Sequence, residues 1–295
     1  MKLVFLSLFV ITLILTMSCN NPEEVKEINL YSSGTSSSEI NSTKSKEKIY
    51  VAISTMISPV ETFNLYKDLI DYISAKLEVP IEFKQRKTYD EVNELLQKKQ
   101  IDFAFICTGA YIKAKEEFPI EILAVPVVDG RPLYNAYIVV HKGSGIKKFD
   151  QLKGKTFAFT DPLSNTGYSY AIKLLRKKNT SPQQFFSKTI FTYAHDYSIQ
   201  AVARKIVDGA TVDGLIYNYL EKTQPEKLKD VMVIQKSDDY GIPPFVVQPD
   251  MSDSLKFKLK NILLNLDNDI KGKELLNKIM IDKFIDGSDA LYKSN

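Results

Sequence analysis

The sequence has no tryptophan, two cysteines and two histidines in 295 residues. Cys19 and Cys107 cannot build a disulfide framework. Together with His141 and His195, scattered along the chain, they do not offer four ligands at structural-zinc spacing, so no metal site is expected. Net charge is also scarce: 39 Lys+Arg against 36 Asp+Glu leave +3, without the basic face that nucleic-acid binding uses. In the absence of tryptophan, bulky aromatic packing falls to 16 Tyr and 16 Phe. A chain that is 44% hydrophobic and 25% charged folds rather than staying disordered. Its length suits one large domain or two moderate ones.

Long apolar runs are lacking except at the start. Leu3 to Leu15 follows Met1-Lys2. It is short of the roughly 20 residues a membrane span needs and fits a signal-peptide core. Ser18-Cys19 then resembles the bacterial lipoprotein signal, in which the cysteine is lipidated and becomes the new N-terminus. Plain secretion and an uncleaved anchor are the competing readings. Residues 1–18 therefore read as a signal peptide. Residues 19–47, rich in Ser, Thr, Asn, Glu and Lys, read as a lipid-anchored flexible tether with too few apolar residues to offset ordering entropy. The expected location is extracytoplasmic, at the cell envelope.

From Lys48 onward strands and helices alternate. KIYVAIS (48–54), IDFAFI (101–106) and KTFAFT (155–160) read as buried strands, and Pro59 to Leu77 as an amphipathic helix with Leu65, Leu69, Ile73 and Leu77 on its apolar face. Helices are expected over Tyr89–Lys98, Ala110–Glu117, 167–178, Ser198–Asp208, Ser254–Asn265 and Glu274–Ile281, and a short strand over Gly214–Tyr217. This is an α/β class of mainly parallel sheets covered on both faces.

Four times a buried strand ends in a short polar turn that opens a helix: Thr55 to Pro59, Cys107 to Tyr111, Asp161 to Gly167, and Ala194 to Ser198. Ligands of open α/β sheets sit at such strand ends, where free helix N–H groups favour an anion. None of the four turns contains Lys or Arg, so a small oxyanion would be held by neutral donors. Each turn taken singly is explained by helix capping. The run Ser164-Asn165-Thr166-Gly167 has more side-chain hydrogen-bonders than one cap needs. No Gly-Lys-Ser/Thr follows it, so it is not a phosphate loop of nucleotide hydrolases.

Asn135 to Val140, Gly143 to Ile146, Leu152 to Lys155, Phe157 to Phe159 and Asp161 to Tyr168, with Ile101 to Phe105, Gly109, Tyr111, His195-Asp196, Ala201-Val202 and Val212 to Gly214, resemble the phosphate/phosphite/phosphonate substrate-binding proteins of ABC importers over roughly 49–247. The resemblance implies a two-lobed periplasmic-binding fold of the second type. Lobe one is then 48–137 plus 241–295 and lobe two 138–240. Tyr134–Val140 and Phe245–Gln248 are the crossing strands, and the ligand lies in a cleft closed by hinge motion. It also implies an ABC permease as membrane partner, a phosphorus oxyanion (phosphonate, phosphite or phosphate) as ligand, no cofactor and a monomeric state.

By resemblance, Ser164, Asn165, Thr166 and Gly167 donate to the oxyanion. Tyr111 and Ser58 are donors from lobe one, with core packing and N-capping as their plainer roles. Asp196 beside an anion demands a proton between them, which selects a P–OH group and rejects sulfate. His195 positions the turn and Tyr217 walls the cleft. Two rival functions share these residues: a ligand-sensing lipoprotein partnered with a membrane signalling protein, and a hydrolase with Cys107 as nucleophile and His195 as base. Alternation of Phe103, Phe105 and Cys107 on one strand face makes a buried structural thiol the simpler reading, and no enzymatic activity is expected.

Overall fold

The computed structural model describes residues 48–293. The signal peptide, the lipidation site Cys19 and the tether of 19–47 lie outside the described residues.

The first lobe opens with β1 (Ile49–Ile53), α1 (Pro59–Leu77), β2 (Ile81–Lys84), α2 (Tyr89–Gln97), β3 (Phe103–Phe105), α3 (Thr108–Glu117) and β4 (Glu121–Val127). The chain passes through β5 (Leu133–Tyr134) into the second lobe. There it forms β6 (Ala136–His141), β7 (Thr156–Phe159), α4 (Tyr170–Arg176), α5 (Pro182–Phe185), β8 (Lys188–Phe191), α6 (His195–Ala203), β9 (Gly209–Asp213), α7 (Gly214–Thr223) and β10 (Val231–Lys236). It returns through β11 (Tyr240–Gly241) and finishes the first lobe with β12 (Phe245–Val247), α8 (Asp253–Leu264), α9 (Ile270–Lys278) and β13 (Lys283–Ile285).

The sheets run β13-β4-β12-β3-β1-β2 and β10-β6-β9-β7-β8. They are mixed, not mainly parallel. β1 is parallel to β2 and β3, and β7 to β8 and β9. β12 is antiparallel to β3 and β4, and β6 to β9 and β10. The reason is topological: a strand entering from the hinge arrives at the carboxyl edge of the parallel strands and must run against them. The hinge ladder itself is two residues long, Tyr240 opposite Tyr134 and Gly241 opposite Leu133. The longer flanking strands belong to the sheets and not to the crossing.

Each sheet is buried on both faces. Val51 and Phe103 on one face and Ala104 and Val246 on the other in the first, and Ile138, Phe157 and Val212 in the second, are fully inaccessible. At about 25 cal/mol per Å² of apolar surface, such burial is the main term holding each lobe. Gly214–Tyr217 is helical instead of extended. Asp213 caps this stretch, its Oδ1 accepting from Leu215 N at 2.7 Å, and that cap favours the helix over a strand.

A candidate ligand cleft between the lobes

The parallel strands β1, β3, β7 and β9, with the turn after β8, bring their following residues to one place between the lobes, where three backbone-mediated bonds join them. Ser58, the N-cap residue of α1, donates its N–H to Asp196 Oδ1 at 2.9 Å. His195 N donates to Met56 O at 3.0 Å. Tyr89, first residue of α2, donates its N–H to Asp161 Oδ2 at 3.1 Å, while Asp161 Oδ1 accepts from Leu163 N at 2.8 Å. Two second-lobe carboxylates thus sit on first-lobe helix N-termini, where the helix dipole favours negative charge. Burial raises the pKa of both Asp161 and Asp196 above the usual carboxylate range. Backbones meet tightly at Gly109, where a Cβ would lie 2.2 Å from Leu163 O; no other residue fits there without moving the turn.

His195 organises the second-lobe side. It is wholly buried, and burial holds its imidazole down at about 3, so the ring is neutral. Nδ1 accepts from Asp213 N at 3.0 Å, which assigns the proton to Nε2, 3.4 Å from Ser164 Oγ. Ser164 Oγ accepts Gly167 N at 2.9 Å. The Gly167 N–H, expected to face the ligand, is therefore engaged in capping its own turn.

Several donors have no partner. The Tyr89 and Tyr134 hydroxyls, Asn165 Nδ2 and Ser54 Oγ are buried without a hydrogen bond to any described residue. Thr108 and Asn165 stand beside the Tyr134 hydroxyl without reaching bonding geometry. Burial first, then the fields of Cys107, Asp161 and Asp213, keep the Tyr89 hydroxyl protonated and able to donate. An unpartnered buried polar group costs about 1–3 kcal/mol, so four at one junction are preorganised for an acceptor that the chain itself does not supply.

Ser54 lines an interlobe cavity of about 70 Å³, and Asp213, in the same wall, acts on the Tyr89 and Tyr134 hydroxyls. Met56, Tyr66 and Phe105 from one side and Leu215 from the other give it a largely apolar wall, with Ser54 and Asp213 as polar members. Among the described residues no lysine or arginine lines it. Asp213 caps α7, and Thr166 Oγ1 stands 3.5 Å from its Oδ2. Burial pushes this carboxyl up to about 7, so a proton is readily held there.

Of the residues singled out from the sequence, the fold brings together Ser58, Ser164, Asn165, Thr166, Gly167, His195 and Asp196, all buried. Tyr111 and Tyr217 are not brought in. The Tyr111 hydroxyl donates to Asp289 and its ring packs on Tyr292 at 4.7 Å. Tyr217 packs edge-on against Tyr137 at 5.6 Å, because helix α7 turns Ile216 and Asn218, not Tyr217, to the cavity. Asp196 is occupied by Ser58, and the carboxyl in the cavity wall is Asp213. Tyr89, Tyr134 and Ser54 escaped the sequence reading. Tyr89 follows Thr88, whose capping box with Glu91 (2.8 and 3.2 Å) marks a helix start aimed at the other lobe, the one local signal that pointed there.

Residues 51–292 match the family model described as ABC transporter, phosphonate, periplasmic substrate-binding protein. The chain belongs to this family. Among its curated relatives is the phosphonates-binding periplasmic protein of Escherichia coli K12, 27% identical over 65% of this chain; the match spans 58% of that relative's length. Among solved structures, a binding-protein component of an ABC phosphonate transporter from Pseudomonas aeruginosa superposes with a TM-score of 0.79 at 26% identity, covering 84% of each chain. PhnD1 of Prochlorococcus marinus, in complex with methylphosphonate, superposes with a TM-score of 0.78 at 18% identity, covering 85% of this chain and 96% of the other. The last of these speaks to the fold alone, the two-lobed periplasmic-binding fold of the second type.

Proposed function

We propose that this family member captures a phosphonate between its lobes and delivers it to an ABC permease in the membrane, held at the envelope by a lipid on Cys19. Lobes 48–137 plus 241–295 and 138–240 move about the hinge ladder. The observation that carries this reading is the group of unpartnered buried donors, Tyr89 and Tyr134 hydroxyls with Asn165 Nδ2; both hydroxyls lie in the field of Asp213, a wall residue of a cavity free of lysine and arginine. Neutral donors suit an oxyanion whose charge is already spread over several oxygens. The apolar wall suits an organic substituent on phosphorus better than a fourth oxygen, which favours a phosphonate over phosphate. Asp213, with its raised pKa, can share a proton with a P–OH group. Sulfate brings no such proton and is accepted only where Asp213 itself takes one up.

The residues support binding and not hydrolysis. Burial pushes the Cys107 thiol up to about 11, opposite to the depression a nucleophile needs, and His195 at about 3 is a poor base near neutrality.

Isothermal titration calorimetry with methylphosphonate, 2-aminoethylphosphonate, phosphate and sulfate tests the reading. Both phosphonates are expected to bind more tightly than phosphate, and sulfate least. Tyr89→Phe and Tyr134→Phe should each weaken phosphonate binding roughly tenfold, about 1.4 kcal/mol, without lowering the melting temperature. Absence of binding heat with every phosphonate overturns the proposal.

A further inference from the structure

The cavity holds no cation among its described lining residues, so nothing inside it draws a diffusing anion from a distance. Outside it a groove of about 500 Å³ runs between α4 and the hinge ladder, lined by Asn165, Tyr170, Lys173, Arg176, Lys177 and Tyr240. Lys173 Nζ lies 5.9 Å from the Tyr240 ring centroid, over the hinge strand. Lys178, next in the row, is tied to Asp150 at 2.5 Å. Lys173, Arg176 and Lys177 form no ion pair with any described residue. One carboxylate, Asp238, acts on Tyr170 and Tyr240; its neighbour Asp239 is engaged by Arg131 at 2.8 Å. Asn165 belongs both to the groove and to the ligand turn: it is 6% exposed, and its Nδ2 is buried without a partner.

We propose that this groove is an anion port: Lys173, Arg176 and Lys177 steer the phosphonate to Asn165, which hands it to the neutral donors of the cleft. The inference rests on the functional reading above and adds a division of labour to it. A cation inside the cleft would strengthen binding of every anion, sulfate included. Cations outside raise the capture rate through their field and leave the bound state, and so its discrimination, to the neutral donors. The field falls off over about 10 Å at 0.1 M salt, so the contribution is a rate effect sensitive to ionic strength.

Stopped-flow binding of methylphosphonate to the full chain, followed by tyrosine fluorescence across a salt series, tests this. The triple variant Lys173→Gln, Arg176→Gln, Lys177→Gln is expected to lower kon about tenfold at low salt and to flatten its salt dependence, with koff within twofold of wild type. Exchanging Lys173 and Lys177 for Arg and Arg176 for Lys should restore kon, which separates charge from packing. An unchanged kon with equilibrium binding intact overturns the port alone, as does a loss carried by koff. Absence of methylphosphonate binding by the wild type overturns the functional reading and the port with it.

Discussion

Asp196 and Asp213 are two buried carboxyls with different work. Asp196 accepts the Ser58 N–H across the interlobe junction, so its contact exists only when the lobes meet. Asp213 faces the cavity and caps α7. Asp196→Asn therefore weakens closure and lowers affinity for all anions alike, by roughly tenfold on the usual worth of a charge-assisted bond. Asp213→Asn changes the ratio of phosphonate to sulfate affinity, because an amide needs no proton uptake to face sulfate whereas Asp213 does. Competition titrations with sulfate distinguish the two: a changed ratio in Asp196→Asn and none in Asp213→Asn reverses the assignment.

At the scale of elements, the N-terminus of α3 and the Asp161–Gly167 turn meet with no space for a side chain. Gly109 is placed for that contact and not for a positive φ; the limit is Leu163 O, 2.2 Å from where a Cβ would be. Backbone cannot give way as a flexible side chain does. Gly109→Ala is therefore expected to hold the lobes apart while each lobe keeps its fold. Small-angle scattering should show a larger radius of gyration for the variant with saturating methylphosphonate than for the wild type, with the circular-dichroism spectrum unchanged. Equal radii would show that the turn shifts to accommodate the methyl.

Across the whole molecule the two strongest titrating groups of the second lobe oppose each other. Asp213 is raised to about 7 in the folded state from about 3.9 unfolded. The folded state holds the extra proton between these values, so this group's contribution to stability grows as pH falls from 7 toward 4. His195 is lowered to about 3 from about 6.5 unfolded; the unfolded state takes up the proton, and stability is lost as pH falls below 6.5. Burial of Asp161 and Asp196 acts in the same direction as Asp213. The contributions of Asp213 and His195 to the stability of the wild type should thus largely offset each other between about pH 4.5 and 6.5. Relative to the wild type, Asp213→Asn should lose stability on acidification over this range, and His195→Gln should gain it. Urea melts at several pH values check both signs; an Asp213→Asn profile parallel to that of the wild type would remove Asp213 as the compensating group.

Alternating apolar strands and amphipathic helices, the polar turn at Ser164 to Gly167 and the His195-Asp196 turn were readable from order along the chain, because period and capping are local properties. They determined the α/β class, the strand ends that meet and polar turns free of lysine and arginine. Which side chains remain unsatisfied is not local. Tyr89 and Tyr111 are both tyrosines near a helix start, yet Asp289, 178 residues further on, claims the Tyr111 hydroxyl, while that of Tyr89 is buried with no acceptor. Asp196 likewise gains its partner only from the other lobe, in the Ser58 N–H, whereas Asp213 caps its own helix. The tertiary structure alone decided these roles, because a donor's availability depends on every residue that packs around it and not on its neighbours in sequence.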